Sequence, residues 1–207
     1  MKNLPRLLMV AAVLCLSSLF FLPMWKITLI APQYPKGIQM NIHINKIGGD
    51  SPAVLQNINI LNHYIGMKKI EPESIPELKY FPYIIIGLMV LGLLAAGVNR
   101  PSFYLTWVVL FGVLALLGIY DFYLWEYDYG HTLDPRAPMK FPGASFQPPV
   151  FGTKNIINFV AKSYPHTGGY LAMLSAMLAT AAWWIKNKID KTNEKNISSS
   201  QFAMANK

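Results

Sequence analysis

Charge is what this 207-residue chain has least of: Asp, Glu, Lys and Arg make up 14% of it, where soluble domains carry about 25%. That shortage excludes an ordinary soluble enzyme and a disordered tail, both of which depend on solvating side chains. A single cysteine, Cys15, excludes a disulfide-built scaffold. The chain also has no CxxC, CxxCH, HExxH or GxSxG. Haem attachment, zinc-protease and nucleophile-elbow chemistry are therefore not on offer. Inside the apolar runs the one ionisable residue is Asp121, at an edge. That argues against a transporter or pump, whose sites need polar groups near the bilayer midplane.

What the chain has in plenty is apolar sequence, at 53%. It is bunched into four runs of roughly 16 to 19 residues, close to the ~20 that cross a bilayer core. They are Leu7–Trp25, Phe81–Gly97, Phe103–Asp121 and Tyr170–Ile185. The expected fold is a mainly α membrane protein with four transmembrane helices and two extended extracytoplasmic loops. It divides into a signal anchor and first span (1–25), an outer loop (26–80), two spans (81–121), a second outer loop (122–169), a fourth span (170–185) and a basic tail (186–207). Lys2 and Arg6 precede the first run and no small-x-small cleavage site follows it, which marks an uncleaved anchor. With the N-terminus inside, the inner segments hold 8 Lys and Arg in 33 residues against 10 in 103 outside. That is the sign the positive-inside rule requires for an N-in, C-in protein of a bacterial inner membrane, with both large loops periplasmic. The net charge of +8 gathers beside the last span and on no soluble module, so the partner it implies is a lipid bilayer and not nucleic acid.

The first loop should contain a short β-hairpin and a helix. Gly37–Ile47 alternates, with Ile38, Met40, Ile42 and Ile44 opposite Gln39, Asn41, His43 and Asn45. Trp25–Ala31 can pair with it. Pro52 opens a helix to about Met67, with Val54, Leu55, Ile58, Leu61 and Ile65 at helical spacing. The second loop carries six prolines, which suit a shaped lid packed on the first loop better than a tether. Those prolines leave room for one short helix, Lys154–Lys162. The segment from Thr192 onward reads as a disordered polar tail.

All four histidines fall in the outer loops, with three of the ten methionines, Met40, Met67 and Met139, and with Met24 at the outer end of the first span. Imidazole and thioether without thiol is a ligand set suited to copper, Cu(I) above all. His63 and Met67, four apart at a helix end, would share a face; equally, Met67 can pack and His63 hydrogen-bond. A second cluster joins Asp121, Glu126, Asp128 and His131 at the outer mouth of the third span. It reads as a site for a cation, protons included, or as an interfacial belt whose acids pair with Arg136, Lys140 or the first loop. His43 lies on the polar face of its strand, and His166 stands where it can cap the fourth span. Gly168-Gly169 lacks the basic residue and strand that a phosphate cradle needs.

Four blocks carry a resemblance: Ala31-Pro32-Gln33-Tyr34-Pro35-Lys36-Gly37, Leu61-Asn62-His63-Tyr64-Ile65-Gly66-Met67-Lys68, Tyr127-Asp128-Tyr129-Gly130-His131-Thr132-Leu133-Asp134-Pro135 and Phe141-Pro142-Gly143-Ala144-Ser145-Phe146-Gln147-Pro148-Pro149. Over residues 5–185 the chain resembles a family of four-span membrane proteins associated with the nitrous oxide reductase accessory genes of Bacteroidetes-type bacteria. The resemblance implies copper handling on the periplasmic side, a periplasmic cuproprotein or membrane assembly partner, and no catalysis. It raises His63 and Met67 as metal ligands, with His131, His43, Asp121 and Asp128 as further candidates. The chain departs from that pattern at Ala144, where a methionine is expected, so thioethers would have to come from Met67, Met40 or Met139. The reading set against it is a metal-free structural or docking subunit.

Overall fold

A computed structural model describes residues 3–49, 51–139, 145–156 and 159–205. The chain divides into two compact units. One is made of Met1–Ser17, Ile85–Val113 and Ala172–Lys207, the other of Ser18–Ile84 and Leu114–Leu171.

The first unit is helical. It takes in α1 (Leu4–Ser17) and parts of α3 (Glu77–Val98), α4 (Pro101–His131) and α5 (Thr167–Ala205). Small residues share its interior with the large buried side chains of Met9, Leu16, Tyr104 and Trp107, and the small ones suit helices that gain little from burying one apolar side chain against another in lipid. Ala12, Ala95, Ala96, Ala179 and Ala182 are buried, while Leu94, Val109 and Val113 lie about half exposed. A Cβ on Gly92 would stand 2.6 Å from Val13 Cγ2. Trp107 Nε1 donates to the Leu88 carbonyl at 2.7 Å, and Ser175 Oγ to that of Ala12 at 2.7 Å.

Three helices, α3, α4 and α5, are long and apolar enough to cross a membrane. The helix at the N-terminus, Leu4–Phe20 with its last 3-10 turn, is shorter, so the fourth crossing expected over Leu7–Trp25 does not have that extent. The chain leaves helix before Trp25, which opens a strand and donates Nε1 to Ser163 Oγ at 2.7 Å. At its other end α5 runs on to Ala205, through the tail expected to be disordered. No glycine or proline interrupts that stretch. The 31 residues of α4 span about 46 Å at 1.5 Å each, against a bilayer core of about 30 Å. Twenty residues from Pro101 reach Tyr120, so Phe122–His131 lies beyond the crossing length.

The second unit is built on an antiparallel sheet ordered β3-β2-β1-β5-β4. Its strands are β1 (Trp25–Ala31), β2 (Tyr34–Ile42), β3 (Ile47–Gly49), β4 (Gly152–Ile156) and β5 (Phe159–Pro165). The expected β1–β2 hairpin is present, with Ile27 opposite Met40 and Leu29 opposite Ile38. The alternating segment ends sooner than its pattern, at Ile42. A turn closed by His43 N–H to the Lys46 carbonyl (2.9 Å) leads into β3. Asp50 lies outside the described residues.

The helix expected over Lys154–Lys162 is instead parts of β4 and β5; residues 157 and 158 lie outside the described residues. β5 pairs with β1, Leu29 opposite Ala161. Its inward positions Ala161 and Ser163 are fully buried but small, so the strand shows no apolar alternation to read. One sheet therefore draws strands from both loops. Helix α2 (Val54–Ile65) and the end of α4 cover its apolar face, where Ile27, Ile38, Met40, Ile58 and Ile70 pack with Trp25, Phe122, Trp125 and Tyr129.

Candidate functional site

Three sequence blocks far apart in the chain meet at one end of the second unit. Helix α2 stops at Gly66, which takes φ +83° and closes the helix with Met67 N–H on the Asn62 carbonyl at 2.9 Å. The Gly66 carbonyl then accepts Asp134 N–H at 2.8 Å, and that of Tyr64 accepts Met139 N–H at 3.0 Å. A Cβ at Gly66 would lie 2.9 Å from the Asp134 carbonyl oxygen. On α4, Gly130 takes Phe146 N–H on its carbonyl at 3.0 Å, and a Cβ there would run 2.4 Å from the Gln147 backbone. Tyr129 OH donates to the Lys69 carbonyl at 3.0 Å, and Lys68 Nζ meets Asp128 Oδ2 at 2.7 Å. The result is a knuckle of main-chain bonds in which both glycines are needed so that backbone can approach backbone.

Beneath the knuckle lies a cavity of about 60 Å³. Its walls are apolar, from Ile27, Ile58, Trp125 and Phe146 among others, and they include Met40, Met67 and Glu126. Glu126 is 0% exposed, and among the described residues neither carboxylate oxygen has a hydrogen-bond partner. Burial pushes its carboxyl up to about 8, against the opposing pull of the Lys154 charge. Of the other polar groups at the wall, Asn62 donates Nδ2 to the Lys68 carbonyl and Tyr129 donates to that of Lys69.

The candidate ligands scatter around this point. His63 is exposed at the end of α2, while Met67, turned inward after Gly66, packs beside Ile65 and Phe146. The helix that was to set His63 and Met67 on one face has ended between them. Asp128 is committed to Lys68 and to Thr132 Oγ1 (2.8 Å), and these two hydrogen bonds hold its carboxyl below the ordinary range. Asp128 thus pairs with the first loop, and Asp134 pairs with Arg136 at 3.3 Å. Lys140 and Ala144 lie outside the described residues. His131 stacks on Tyr127 with ring centroids 4.0 Å apart. Asp121 is half-buried and makes no ion pair among the described residues.

His43 belongs elsewhere. It is half-buried near His166, and its pKa is lowered by burial, then by the charges of Lys46 and His166. His166 Nδ1 accepts Thr167 N–H at 2.8 Å and so caps α5, as its position allowed. Among the described residues no three His, Cys, Asp or Glu side chains converge as a metal-binding group.

Met40 and Glu126, which the sequence offered in separate groups, line one cavity. The signal for Glu126 is in the chain: Phe122, Trp125, Glu126 and Tyr129 follow the i, i+3, i+4, i+7 stripe of a buried helix face. A carboxylate on that stripe belongs to a site or costs stability. Compared with known protein families and with curated proteins, the chain matches none.

Proposed function

We propose that this chain is a multi-pass membrane accessory protein that handles copper on the periplasmic face of a bacterial inner membrane, for assembly of a cuproenzyme such as nitrous oxide reductase. The observation that carries the reading is the knuckle: three of the four blocks behind the family resemblance meet there, over a cavity lined by two thioethers and a carboxyl without a hydrogen-bond partner among the described residues. Thioether sulfur binds Cu(I) without a thiolate, which suits a protein that must release its metal again. The three long apolar helices anchor the unit, α1 supplies a shorter fourth crossing, and the excess of Lys and Arg in the inner segments sets both termini inside.

A second reading has its own support. The knuckle exposes Tyr64, Tyr127 and Met139 at 47%, 47% and 42%, beside Arg136. Aromatic, methionine and arginine side chains are the ones that anchor protein interfaces. A metal-free docking subunit would use that surface alone. Anaerobic Cu(I) loading of detergent-purified protein followed by desalting separates the two. About one retained copper per chain is expected for the metal reading. A folded sample that retains none, yet still captures its partner in the presence of chelator, belongs to the docking reading.

A further inference from the structure

We propose that the cavity of the second unit is a binding site for one soft monovalent cation of the Cu(I) class, held by the thioethers of Met40 and Met67 and the carboxylate of Glu126. The inference rests on the copper-handling reading and gives it an address. The three groups come from three elements that only the fold brings together: β2, the turn after α2, and the end of α4. Met40 is 3% exposed and Glu126 fully buried.

The chemistry selects the ion. Thioether sulfur prefers Cu(I), while Ca²⁺ or Mg²⁺ would need six or more oxygens that these walls do not hold. One carboxylate balances one positive charge, and a divalent ion would leave a charge uncompensated among apolar side chains. Of the polar side chains on the wall, Asn62 and Tyr129 are already committed to main-chain carbonyls. The charge that acts on Glu126 from outside its own helix is Lys154 on β4, whose Nζ is held by the Gln147 carbonyl at 3.1 Å. Strands β1, β2 and β5 bring apolar side chains to the wall. The rings of Trp125 and Tyr129 line the same space, and an aromatic wall tolerates a weakly hydrated cation. A volume of about 60 Å³ takes one ion and a little water, and is well short of the roughly 150 Å³ that admits benzene.

The test is competition for Cu(I) between the full chain in detergent and a chromophoric chelator, under anaerobic conditions. Met40→Leu, Met67→Leu and Glu126→Gln change ligand chemistry at nearly constant volume. Each should weaken binding tenfold or more, while His63→Ala/His131→Ala leaves it unchanged. Thermal melts establish which variants are folded. As a check on unsubstituted protein, the methyl signals of Met40 and Met67 in methionine-labelled NMR should move together when Ag(I), a redox-inert stand-in, is added. If the chain binds Cu(I) but the three cavity variants keep full affinity, or the Met40 and Met67 methyl signals stay still on loading, the cavity assignment falls and the copper-handling reading stands. If the unsubstituted chain binds no Cu(I), both fall.

Discussion

The two units of this chain solve the same packing problem for opposite surroundings. In the helical unit small residues such as Ala12, Ala95 and Ala179 are buried beside a few large ones, Tyr104 and Trp107 among them, while Leu94 and Val109 face out. In the sheet unit the large apolar residues turn inward and alternate with Lys26, Gln39, Asn41 and Lys162 on the other face. A lipid-facing bundle gains from close backbone approach, whereas a half-solvated sheet gains from removing apolar area from water. The difference also shows where chemistry can reside. In the helical unit the buried Ser175 hydroxyl is satisfied by the Ala12 carbonyl. The sheet unit keeps one buried carboxyl with no protein partner among the described residues.

The largest expected effect breaks the knuckle. Gly130→Ala would place a methyl 2.4 Å from the Gln147 backbone, which only main-chain movement relieves. A loss of about 2–4 kcal/mol is expected in denaturant or thermal unfolding. The matching change in the helical unit, Gly92→Ala, meets the movable Val13 side chain and should cost about 1–3 kcal/mol, read as a lower melting temperature in detergent. A cost for Gly92→Ala above that of Gly130→Ala would overturn this ranking of a backbone neighbour over a side-chain one.

Next comes pH. Glu126 has its pKa raised from the ordinary 4.5 to about 8, so between those values the folded chain binds more protons than the unfolded one. Metal-free stability should therefore fall as pH rises from about 4.5 to about 8, and level off above. Glu126→Gln should flatten that slope and be the more stable protein at pH 9, as melting curves across the range would show. The smallest effect is Lys68→Ala. Its ion pair with Asp128 is about half exposed on both sides, so stability should change by no more than about 0.5 kcal/mol.

Much of the helical unit is legible residue by residue, because a crossing helix is announced by a run of apolar residues within one segment. The sheet is legible where its pattern is local: Ile38, Met40 and Ile42 alternate, and β1 lies one turn away. It is illegible where it is not. The strand β5 turns Ala161 and Ser163 inward, and its partner β1 lies more than 130 residues earlier. At the candidate site, spacing alone paired His63 with Met67, and Gly66 undoes that pairing by ending the helix between them. The grouping of Met40, Met67 and Glu126 needs a turn, a strand and a helix end to meet, which no window of sequence contains.

The most direct measurement is X-ray absorption at the copper edge on the full chain loaded with one equivalent of Cu(I). Two sulfur neighbours and one oxygen are predicted, from Met40, Met67 and Glu126. A first shell of nitrogen alone would put the metal on exposed histidines and contradict the buried site.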